Sequence, residues 1–64
     1  MDPRERDPVA ALVHDLRTPL AVVSGFAELL RAKADALTDE QRAEYVARIA
    51  EGARQMDEIL SRAR

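Results

Sequence analysis

Sixty-four residues allow one domain at most, and a chain this short has too much surface for its volume to bury a sizeable core alone. Ten Lys and Arg against 12 Asp and Glu leave a formal charge of −2, without the basic stripe that phosphate-backbone binding requires, which argues against nucleic acid as a partner. No cysteine is present, so disulfide staples, thiol nucleophiles and cysteine metal sites are excluded, and self-association is left to supply the missing burial.

The opening residues, MDPRERDP, are charged, and no apolar core of signal-peptide type follows them. The longest apolar runs, VAALV and PLAVV, are short of the roughly 20 residues that span a bilayer, so no direct membrane contact is expected. The chain reads as cytoplasmic, either freely so or as the cytoplasmic part of a membrane-attached protein. Residues 1–7 read as the end of a linker and residues 8–64 as one domain.

Asp7 is placed to cap a helix whose first position suits Pro8, where a missing N–H costs nothing. From there apolar residues recur at Val9, Val13, Leu16, Leu20, Val23, Ala27, Leu30, Ala34 and Leu37, alternating four and three apart as a heptad seam does. Leu12 and Phe26 flank the seam. This predicts a helix over about 8–35, then a turn within KADALTD. Thr38 with Gln41 three residues later forms a capping box, and Asp39 and Glu40 suit the first turn of a second helix over about 39–63. Its seam runs Val46, Ile49, Ala53, Met56, Leu60 and Ala63, flanked by Tyr45 and Ile59. Glu44–Arg48 and Glu58–Arg62 are expected i,i+4 pairs. The fold class is therefore all-α, an antiparallel helical hairpin. Two hairpins together bury all four seams, which predicts a homodimeric four-helix bundle.

His14, the one histidine, falls outside the seam on the solvent side, about 130° from the centre of the stripe by helical geometry. Thr18 lies one turn further along the same face, with Arg17 close by, and small Ala21 and Gly25 continue that face. Pro19 removes a helical hydrogen bond and crowds the carbonyl of Asp15, which predicts a kink just after His14. A neutral imidazole offers one unprotonated ring nitrogen as a nucleophile. Asp15 lies on the adjacent side of the helix and can orient the ring or take its proton provided its side chain curls round, and Thr18 can hold a water beside a group attached to the ring. These are the parts of a phosphoryl acceptor. The sequence contains no phosphate-binding glycine loop and no spacing for a magnesium or other metal site, so the chain is expected to bind no cofactor itself.

The stretch HDLRTPLAVVSGFAELL closely resembles the H-box of sensor histidine kinases, usually His-Glu/Asp-Leu-Arg/Lys-Thr/Asn-Pro-Leu followed by an apolar helix. The resemblance extends over about residues 8–64, to the dimerisation and histidine phosphotransfer domain of those kinases. It implies a homodimeric four-helix bundle in which His14 is the phosphorylated residue and Asp15 is the acidic residue assisting transfer. Thr18 then occupies the position implicated in dephosphorylating the regulator, and Pro19 that of the kink. It also implies two partners: an ATP-binding kinase domain that brings ATP and magnesium, and the receiver domain of a response regulator. The N, G and F boxes of the ATP-binding domain are not in this sequence, so the chain is expected to be part of a transferase rather than active alone, either as a domain of a larger kinase, the simpler expectation, or as the histidine-bearing half of a split system. Two alternatives stay open: a stand-alone phosphotransferase shuttling phosphate between regulators, and a signal-transmitting coiled coil in which His14 is inert.

Overall fold

The computed structural model describes residues 7–63; the linker reading of residues 1–6 lies outside them. Two helices, α1 (Pro8–Ala32) and α2 (Asp39–Arg62), form an antiparallel hairpin. The Asp7 carboxylate accepts from the backbone N–H of Val9 at 3.0 Å and of Ala10 at 3.2 Å, satisfying donors that the first turn leaves without helical partners. At the start of α2, Gln41 N–H donates to Thr38 Oγ1 at 3.0 Å and Thr38 N–H donates to Gln41 Oε1 at 2.9 Å, the reciprocal capping box. The expected caps stand where the sequence places them.

Helix α1 ends three residues earlier than the heptad pattern suggests. Lys33 leaves the helical region, at φ −120° and ψ 21°, and its N–H still donates to the Leu29 carbonyl. Ending there lets Leu37 turn inward, half-buried, immediately before the Thr38 cap. Arg42 reaches back from α2 and donates to the Ala34 carbonyl at 3.0 Å, so the turn is tied without glycine or proline. Glu44 pairs with Arg48 at 2.8 Å, as expected. Glu58, however, pairs with Arg54 at 2.7 Å rather than with Arg62, because the Arg54 guanidinium forks between Glu58 and Glu51. Hydrogen bonding holds the Glu51 carboxyl below its ordinary range and raises Arg54. These pairs are exposed and screened by solvent, so they add little to stability.

The packing resolves the single predicted seam into two. Facing α2 are Leu12, Leu16, Pro19, Val23, Phe26 and Leu30; facing α1 are Tyr45, Ile49, Gly52, Met56 and Ile59. Each of these sets is itself spaced four and three. The rings of Phe26 and Tyr45 meet at 5.2 Å between centroids, tilted by 50°. Five residues of the expected seams, Val9, Val13, Leu20, Val46 and Leu60, instead form a second stripe open to solvent, with exposures between 44 % and 67 %, while the expected flanking residues Leu12, Phe26, Tyr45 and Ile59 take part in the hairpin contact.

The hairpin measures 48 × 19 × 13 Å, one helix layer thick. Among the described residues no large apolar side chain is buried; only Pro19 in α1 and Gly52 in α2 are. By length and composition alone α1 is long and apolar enough to cross a membrane, contrary to the sequence expectation from its longest apolar runs. Its apolar residues nevertheless divide between the hairpin contact and the open stripe, and His14, Asp15 and Arg17 interrupt them.

Candidate functional site

His14 sits in the second turn of α1, where the Asp7 cap and Pro8 start the helix in a fixed register. With 100° per residue, its side chain leaves the helix about 150° from the centre of the hairpin contact and about 120° from the open stripe. Neither packing surface covers it, and His14 is exposed. Thr18, Ala21 and Gly25 follow along the same line, each exposed as well. A Cβ built on Gly25 would meet nothing within 4 Å, so this glycine marks open surface rather than a close approach. The structure thus brings together His14, Thr18 and the small-residue strip that the sequence singles out.

Asp15 is directed elsewhere. It is exposed and lines an open groove of about 440 Å³ at the free end of the hairpin, among Leu12, Ile59 and Arg62. Successive residues on a helix leave it about 100° apart, so the Asp15 carboxylate stands round the helix from His14 rather than above it. Helix α1 runs unbroken through Pro19, whose ring is buried against α2. The carbonyl of Asp15 loses its i+4 backbone donor there, because proline has none. The turn from Asp15 to Pro19 is therefore tied by one hydrogen bond fewer than the other interior turns of α1.

A second, smaller groove begins just beyond Thr18, lined by Ala21, Val22, Gly25, Phe26 and Leu29. Sequence reasoning found its small residues but not Val22, which is 38 % exposed. The signal was present: Val22 fits neither four-three series, so it is an apolar residue in a helix without a packing reason of its own. Gly52 was missed too, although it occupies a seam position between Ile49 and Met56. Among the described residues there is no group of three or more His, Asp or Glu side chains arranged to hold a metal ion.

No curated protein and no solved structure matches the chain with significance. Its sequence does match a protein family, HisKA, the His Kinase A (phospho-acceptor) domain. The match covers residues 4–64, nearly the whole chain, and includes the histidine, threonine and proline whose placement is described above. A helical hairpin that displays one histidine outside its packed faces is the architecture such a domain needs, and this chain belongs to the HisKA family.

Proposed function

We propose that the chain is the dimerisation and phosphoacceptor domain of a two-component sensor histidine kinase, with His14 as the residue phosphorylated. The observation that carries this reading is the placement of His14: exposed on α1, outside both apolar faces, in a chain of the phospho-acceptor family. An unprotonated imidazole nitrogen attacks the γ-phosphorus of ATP held, with magnesium, by a separate ATP-binding domain. The N–P bond forms as the bond to the bridging oxygen breaks, and ADP leaves with that electron pair. Asp15 takes up the charge or proton of the imidazolium, reaching round the helix as the partner domain closes. An aspartate carboxylate of a response regulator then attacks the same phosphorus, and the N–P electrons return to the ring.

The strip from His14 through Thr18 to the groove at Val22 and Gly25 supports docking of that regulator, because its small side chains let another backbone approach the histidine. Thr18 holds the water that hydrolyses phosphate from the regulator. The open apolar stripe supports a homodimer, in which two hairpins close a four-helix bundle.

Incubation of the chain with a separately expressed ATP-binding domain and labelled ATP is expected to give acid-labile label on this chain. His14→Ala is expected to abolish it. Label that persists in His14→Ala refutes the assignment. Label acquired only from a phosphorylated regulator, never from ATP and the kinase domain, would favour the stand-alone phosphotransferase instead.

A further inference from the structure

The two buried residues among those described, Pro19 and Gly52, are apposed. A Cβ built on Gly52 would stand 2.6 Å from Val23 Cγ2 and 3.1 Å from the Pro19 carbonyl oxygen. The first distance is about 1 Å inside an ordinary carbon–carbon contact. Neither neighbour yields readily. Valine in a helix has one strongly preferred χ1, so Val23 cannot swing its methyl away at no cost. The Pro19 oxygen belongs to the backbone.

Pro19 also closes the turn that begins at Asp15, the turn whose first carbonyl has lost its i+4 donor. His14 immediately precedes that turn and Thr18 lies inside it. The turn is seated sideways on α2, whose backbone at Gly52 comes up to the Pro19 carbonyl with no side chain between them. Among the contacts by which α2 seats the reactive segment of α1, the one at Pro19 and Val23 is as close as it is because residue 52 has no side chain.

We infer that Gly52 is a positioning residue for phosphoryl chemistry at His14, acting through Pro19 and Val23. The inference rests on the functional reading above. Adding one methyl group at Gly52 forces α2 and the Val23 side chain apart by about 1 Å and presses on the Pro19 carbonyl as well. Displacements of that size, even remote from the reacting atoms, reduce reaction rates by up to about 100-fold. Gly25 is the internal contrast, since the same methyl group there meets open space.

The test uses the chain with the separately expressed ATP-binding domain and labelled ATP, at a temperature where circular dichroism shows each variant folded. Gly52→Ala is expected to reduce the rate of His14 labelling about tenfold or more. Val23→Ala, introduced on top of it, removes the methyl group nearest the new Cβ. The double variant is expected to label within about threefold of Val23→Ala alone, a rescue that general destabilisation would not give. If Gly52→Ala does not fold, this second comparison stands by itself. Folded Gly52→Ala labelling at the wild-type rate overturns the positioning role, as does a folded double variant that stays tenfold or more below Val23→Ala. A wild-type chain that takes no label overturns the functional reading, and this inference with it.

Discussion

Replacing Leu20 by alanine tests whether the open stripe is a subunit interface. Leu20 is 50 % exposed in the hairpin, and Val9, Val13, Val46 and Leu60 share its stripe at 44 % to 67 %. Burying the exposed half of such a side chain contributes about 1 kcal/mol, so five of them from each of two hairpins contribute about 10 kcal/mol before the entropy of association is subtracted. The truncation removes three carbons, about half of whose surface is exposed, and so costs about 1.2 kcal/mol per protomer. Over a symmetric dimer this amounts to about 2.4 kcal/mol, a rise of about 50-fold in the dissociation constant. Alanine is the best helix former, so the loss is not one of helix propensity. Val22→Ala is the matched comparison: Val22 is also exposed, at 38 %, but lies about 160° round α1 from Leu20 and should leave the dissociation constant unchanged. Sedimentation equilibrium across a micromolar concentration series, with concentration-dependent thermal melting alongside, measures both variants. A wild-type chain that is a folded monomer at micromolar concentration refutes the reasoning, as would equal effects of Leu20→Ala and Val22→Ala.

Two further outcomes follow from local structure. Thr38→Ala removes the acceptor of the Gln41 N–H and breaks the reciprocal capping box, which should cost about 1 kcal/mol and lower the melting temperature by roughly 4–8 °C in a circular dichroism melt. Gly25→Ala should raise stability by up to about 1 kcal/mol in denaturant unfolding, because the added methyl group meets nothing and alanine is a better helix former than glycine.

The helices were legible in the sequence because caps and heptads are local signals. Asp7, Pro8, Thr38 and Gln41 each act on backbone groups within a few residues, so their identity and spacing suffice. The hairpin contact was not legible to the same degree, and the reason is periodicity itself. In α1 the series through Leu12, Leu16, Pro19 and Val23 and the series through Val9, Val13, Leu16 and Leu20 are both spaced four and three. They overlap at Leu16, Val23 and Leu30, so spacing cannot say which face meets α2 within the chain and which is left over. The pairing of Pro19 with Gly52 decides it. Each is a poor helix residue alone, and only side by side do they allow the closest approach. For the site, register sufficed to display His14 and Thr18 outside the packed faces. It also placed Asp15 on the adjacent side of the helix, but the groove that Asp15 shares with Arg62 needs both helices and has no sequence signature.

The tie between Arg42 and the Ala34 carbonyl has a consequence for how the hairpin opens. With only residues 33–38 between the helices, closing the chain at the turn costs little entropy, and each further pair along the hairpin is then added to an end already held. Contacts at the far end, such as those flanking Leu12 and Ile59, span most of the chain and have no second connection to secure them. Amide exchange should therefore be slowest beside the turn and quicken steadily toward Pro8 and Arg62. His14 lies in the quickening part, so the backbone that bears it opens locally at a free energy well below that of unfolding the whole.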